Sequence, residues 1–308
     1  MSIPTVDDLL MELTDPGLAR PLPAALTRAR ADVLAAACEL LAIPEAALTE
    51  SWPWTGGGEV EVRYGAYRAA EALELAEIEA RTRMASSESN ETQAARLIGP
   101  ATAARWDLHG ILLPFDDDLI DRDPGSGEWP IRLVLAHTIA SQRGYGGGSS
   151  WWQAKRFRID DPDLPARIPD GIVEWPDENG PDAVGSLAEL RARLDKHLDL
   201  TAERLAGLPD DLSACGARWA GFAVTIAFRF GRWSSHIREH TIQVEKTLAM
   251  LGHQPGEPAR LARNLLAAYG RAEATVFARR EPDDGAARIA HGAAEAREAA
   301  SSARASAS

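Results

Sequence analysis

The chain has 308 residues, about two domains' worth at ~150 residues each. Hydrophobic residues make up 45% and charged residues 26%, which excludes a disordered chain, a collagen-like repeat and a disulfide scaffold. A net charge of −13 argues against wrapping nucleic acid or lying on an anionic membrane, and no apolar run is long enough to span a bilayer. The opening MSIPTVDDLLMEL has two Asp and no basic segment, so no signal peptide is visible and a cytoplasmic location is expected. The two cysteines, Cys38 and Cys215, cannot form a zinc knuckle, and in a reducing compartment a disulfide is not expected. Cys38 lies in an Ala/Leu-rich run and reads as a small core residue. Any metal must then be held by His and carboxylates.

Pro21 to Ala42 reads as a helix, with Ala25, Val33, Leu34, Ala37 and Leu41 at helical spacing. A loop with Trp52, Trp54 and Gly56–Gly58 follows, then a long helix from Tyr64 to about Arg83 with an acidic, solvated face. The run Ser86–Asn90 breaks the pattern and marks a boundary. Residues 101–121 read as an amphipathic helix carrying Trp106, Ile111, Leu112, Phe115 and Leu119, and Asp123–Gly127 reads as a turn. Pro130 opens the next helix, where its missing N–H is not needed, and Gly144–Gly148 is expected to end it. Residues 151–186 are rich in Pro and Asp, and so long an irregular segment is often functional. Ser186 with Glu189 three residues on forms a capping box for a helix to about Leu205. A long helical stretch then ends near Leu251, and Pro258 to Arg279 reads as a further helix. The Ala/Ser/Glu/Arg-rich end is expected to be mobile. Strand signals are weak, so the fold class is all-α.

Seven histidines are present, and His236 and His240 stand four apart, on one helical face a turn apart. The stripe Ile226, Phe230, Trp233, Ile237, Val244, Leu248 and Leu251 turns that face toward the core. Two such imidazoles can chelate one divalent ion, although the pair alone is a weak motif and buried, hydrogen-bonded core histidines are the alternative. His137 lies in a helix that is apolar almost all round, where an unpaired imidazole costs free energy. Three inward histidines on two packed helices meet the ligand count of an open catalytic site.

The stretch Glu128-Trp129-Pro130-Ile131-Arg132-Leu133-Val134-Leu135-Ala136-His137 resembles the second helix of the DinB/YfiT-like superfamily, and His236-Ile237-Arg238-Glu239-His240-Thr241-Ile242-Gln243 resembles its fourth. The resemblance covers about residues 95–252. It implies a four-helix bundle of up-down-down-up topology with one long crossover at residues 145–186. It also implies a divalent metal (Zn, Ni or Fe) on His137, His236 and His240. The resulting organisation is an N-terminal helical extension at 1–94, the bundle at 95–252, a C-terminal helix packed on it at 253–282 and a mobile tail at 283–308. The flanking segments serve as extra helices or as a homodimer interface.

Three neutral imidazoles leave the ion's charge uncompensated, so the open position favours an anion such as hydroxide or thiolate. The resemblance thus implies a metal-dependent enzyme acting on a small thiol or thiol adduct, as an S-transferase or isomerase that uses a low-molecular-weight thiol. The alternatives are a metal-dependent hydrolase on the same site and a non-catalytic metal-binding or interaction bundle. The substrate is a small molecule, with no nucleic acid or membrane partner. Glu239 gives the segment an H-x-x-E-H pattern with the Glu as general base, but it does not share the histidine face, and a pairing with Arg238 or Arg232 is the simpler reading. Arg229 is a candidate to neutralise an acidic substrate, against the alternative of a helix-edge salt bridge. Gln243 is a candidate to orient a ligand, Trp233 is a core residue or pocket wall, and Trp106 and His109 are candidates for the pocket mouth. Trp151 and Trp152 either cover the pocket or pin the crossover to the bundle.

Overall fold

In the computed structural model of the chain, the described residues are 22–54, 57–86, 91–173, 177–277 and 283–307. They are mostly α-helical, as the hydrophobic patterning predicts. The helices are α1 Ala24–Leu41, α2 Arg63–Ser86, α3 Gln93–Ile98, α4 Pro100–Leu112, α5 Asp117–Ile120, α6 Ile131–Lys155, α7 Leu187–Leu205, α8 Asp210–Ser213, α9 Ile226–Met250, α10 Glu257–Ala274 and α11 Asp283–Ser306. Two antiparallel hairpins join them, β1 Ser51–Trp54 with β2 Gly58–Glu61 and β3 Gly216–Trp219 with β4 Phe222–Thr225. The expected boundary at Ser86–Asn90 falls largely outside the described residues.

Three helix limits differ from the sequence expectation. The helix expected over 101–121 stops at Leu112, because Pro114 has no N–H to continue the helical hydrogen-bond ladder. α6 does not end at Gly144–Gly148 but runs through them to Lys155, where Arg156 closes it in the left-handed conformation. Gly148 is there for space: a Cβ on it would lie 2.5 Å from Arg229 Nη2. The third difference is β3–β4, a hairpin in what reads as continuous helix. Ala220 and Gly221 form its two-residue turn with φ of 44° and 88°, the positive values a tight hairpin requires. α9 therefore starts only at Ile226, with Thr225 Oγ1 accepting from the Phe228 N–H at 3.3 Å.

The helices form two packed groups. In the first, α4 packs on α9, α9 on α6, α6 on α7 and α7 on α4, which closes a ring around Leu108, Ile139, Leu194, Phe230 and Trp233. Trp151 and Trp152 are buried in this core, so they anchor the end of α6 rather than cover a pocket. In the second group α1, α2, α10 and α11 pack together, and α10 also lies along α4. α4 is consequently buried on nearly every side. Cys38 departs from expectation: it is exposed, because it lies off the stripe Val33, Ala36, Ala37 and Leu40 that α1 buries.

The expected mobile tail is the helix α11. Its buried residues Ala286, Ile289, Ala293, Ala296, Ala300 and Ala303 alternate spacings of three and four. They meet the matching series Ala66, Ala69, Leu73, Ala76 and Ala80 on α2. Small side chains let the two backbones approach closely. A Cβ on Gly292 would lie 2.6 Å from Ala76 Cβ.

The two groups are joined by a buried ionic network. The fully buried Glu273 of α10 accepts from Arg105 Nη2 at 2.9 Å, Trp106 Nε1 at 2.9 Å, Thr102 Oγ1 at 3.1 Å and the Arg30 guanidinium. Burial alone would raise its pKa, but Arg30 and Arg105 hold it at about 2. Arg105 and Arg30 also reach Asp199 on α7, both at 2.6 Å. His109 pairs with Asp195 at 2.8 Å. Trp106 and His109 therefore belong to this junction and not to a pocket mouth. Replacing Glu273 by Gln leaves two guanidinium groups with Asp199 as their shared carboxylate, and breaking a buried pair costs about 3–5 kcal/mol. Urea unfolding of Glu273→Gln should show a loss of that size; a loss under about 1 kcal/mol, typical of a surface pair, would contradict the junction's role.

Candidate metal centre

α6 and α9 run antiparallel, and paired contacts follow one another along them. Thr247 meets Trp129, just before α6, with its Oγ1 3.4 Å from the Trp129 carbonyl. His137 lies against His240 with ring centroids 4.7 Å apart, Tyr145 against His236 at 5.2 Å, and Gly148 against Arg229. His137, Ser141, Tyr145 and Gly148 recur every three to four residues, so they share one face of α6. Arg229, His236 and His240 do the same on α9.

His137, His236 and His240 each offer a ligand nitrogen, and these atoms all lie within 4.8 Å of one another. The Nε2 atoms of His236 and His240 are 3.0 Å apart, close to the edge of a coordination sphere with bonds of ~2.0–2.1 Å. The outer nitrogens explain why the inner ones converge. His137 Nδ1 donates to Glu178 Oε1 at 2.6 Å, and His240 Nδ1 donates to Gln243 Oε1 at 2.9 Å. A proton held on Nδ1 leaves the Nε2 lone pair free for an ion. His236 Nδ1 is buried without a hydrogen-bond partner. The donor set and its outer partners fit a divalent cation.

Electrostatics favours neutral imidazoles. Burial, reinforced by His240, His137 and Arg232, pushes the His236 pKa down to about 2. Burial also lowers that of His240, against the Gln243 hydrogen bond that raises it. Glu178 stays ionised: burial would raise its pKa, but the His137 hydrogen bond and its own backbone keep it below the usual range.

The other candidates fall into distinct places. Glu239 is held by Arg232 through two bonds of 2.8 Å. Trp233 is fully buried, edge-on to Phe230. Arg229 is buried, donates to the Arg218 carbonyl at 2.9 Å and lies 5.7 Å from the Trp219 ring centroid. Glu178 and Tyr145 were not among the candidates. Glu178 sits in the irregular crossover, where no periodicity marks which acid turns inward, whereas Tyr145 follows His137 by eight residues and was hidden by the assumption that α6 ends at Gly144.

A model of the DinB superfamily matches residues 101–244, the segment that contains all three histidines. No curated protein and no solved structure matches the chain. No helix among the described residues is long and apolar enough to cross a membrane.

Two outcomes follow from this geometry. Glu178→Ala should weaken metal binding about 10–100-fold, read by competition with a chromophoric chelator; unchanged affinity would contradict its hold on His137. His236, and His197 at a pKa of about 3, are neutral in the fold but ordinary in the unfolded chain. Below a pH of about 6.5 the unfolded state therefore binds more protons, and the metal-free protein loses stability as pH falls. The urea midpoint should drop between pH 7.5 and 5.5, whereas a flat profile would contradict the buried, neutral histidines.

Proposed function

Taking residues 101–244 as a DinB-superfamily segment, we propose that the protein is a metal-dependent enzyme that acts on a small thiol or thiol adduct, as a transferase or isomerase. The observation that carries this reading is the convergence of three imidazole nitrogens from α6 and α9. His137, His236 and His240 hold the ion, while Glu178 and Gln243 fix the first and third in the binding tautomer. When bound, a divalent ion on three neutral ligands lowers the pKa of a coordinated thiol or water and so supplies a nucleophile at neutral pH. A cytoplasmic location belongs to the same proposal, since thiols are kept reduced there.

A hydrolase on the same site is the second reading. It is less well supported because the nearby carboxylates are committed, Glu178 to His137 and Glu239 to Arg232. A thiol needs only to be deprotonated at the ion, without a carboxylate base.

The test is metal content by plasma mass spectrometry on untagged protein, with His137→Ala and His240→Ala alongside. About one ion per wild-type chain, lost in both variants, is expected. The cobalt-loaded protein should then develop a thiolate-to-metal absorption band on adding a small thiol. No metal uptake after incubation with Zn, Ni and Fe would overturn the reading. Metal uptake with no response to thiols would favour the hydrolase or a structural ion.

A further inference from the structure

The chain neutralises its deeply buried arginines with carboxylates: Arg30 and Arg105 each contact Asp199 and Glu273. Arg229 has no such partner. It is only 6% exposed, yet among the described residues no carboxylate lies within ion-pairing distance. Its one hydrogen bond goes to the Arg218 carbonyl, and its Nε is buried with no partner. Burial brings its pKa down to about 10, which still leaves it cationic at neutral pH. An uncompensated buried cation is costly, and a fold that merely needed a side chain here would be served better by an apolar one.

Its surroundings complete a site. Arg229 lies on the histidine face of α9, seven residues before His236, or about 10 Å along the helix. Between them stands Tyr145, whose ring meets His236 and Trp219, both at 5.2 Å. The Trp219 ring lies beside the Arg229 guanidinium, and the absent side chain of Gly148 makes room for that group. The second nearby cation, Arg232, is already taken by Glu239.

We propose that Arg229, with Tyr145 and Trp219, forms a carboxylate-binding subsite, and that the ligand of the three-histidine site is a thiol that carries a carboxylate about one small molecule's length from its sulfur. The thiol end rests on the proposed function; the carboxylate end does not. The competing role for Arg229 is to pin the β3–β4 hairpin through the Arg218 carbonyl.

The experiment compares wild type, Arg229→Gln and Arg229→Lys. On cobalt-loaded protein, 3-mercaptopropionate and 2-mercaptoethanol are titrated and the thiolate-to-metal band is followed. Wild type should prefer 3-mercaptopropionate by about 10-fold or more, the scale of one charge-assisted contact. Arg229→Gln should lose the preference with 2-mercaptoethanol binding unchanged, and Arg229→Lys should keep part of it. Equal binding by wild type, or a preference that persists in Arg229→Gln, would overturn the subsite. If neither thiol gives a band, the thiol reading fails, and metal-free protein with glutarate decides the carboxylate end. Glutarate should raise the melting temperature of wild type and Arg229→Lys but not of Arg229→Gln, and no rise in wild type would overturn it. Without ligand, Arg229→Gln should melt no lower than wild type; a clear drop would assign the guanidinium to the hairpin and overturn the proposal.

Discussion

An imidazole reaches only a few ångströms from its helix, so three of them can share an ion only where two helices pack closely and in the right register. α6 and α9 meet that constraint. Their contacts pair His137 with His240, Tyr145 with His236 and Gly148 with Arg229, in reverse order along the two helices. Gly148 of α6 leaves room for the Arg229 side chain at one end of this contact. Bulk at that end would push the helices apart and take the histidine nitrogens out of range of one another. The same packing fixes which polar groups face each other, so the histidine cluster and the surroundings of Arg229 arise from one interface.

Such a site is expensive to hold. Burial keeps His236 and His240 neutral, His236 with an unpartnered Nδ1, and among the described residues no carboxylate pairs with the buried Arg229 guanidinium. The rest of the molecule offsets that cost. The second helix group packs α2 on α11 through alternating small residues and grips α4 from outside. Glu273 ties Arg30 of α1 to Arg105 of α4 and so joins that group to the ring that carries the site. Strain is tolerated along one face because the opposite faces are satisfied.

The features legible in the sequence are those with helical periodicity. His137 in an apolar helix and the four-residue spacing of His236 and His240 point inward, and the structure brings them together. Gln243 follows from the same spacing. Glu178 could not be read this way, because an irregular crossover has no period to say which carboxylate turns toward the histidines. Trp106 and His109 were misplaced because α4 is buried on two sides, and a stripe of apolar residues does not tell which core a given face enters. The low-complexity composition of α11 masked a regular series of alanines, whose small size is what close helix packing needs. Gly144–Gly148 reads as a stop by composition, yet α6 runs through those glycines, and at Gly148 the missing side chain makes room for Arg229.

If three imidazoles from α6 and α9 ligate one ion, X-ray absorption of the metal-loaded protein should show three nitrogen scatterers at ~2.0–2.1 Å with the multiple-scattering pattern of imidazole rings. A first shell of oxygen or sulfur without the imidazole pattern would contradict the account and return the three histidines to the core.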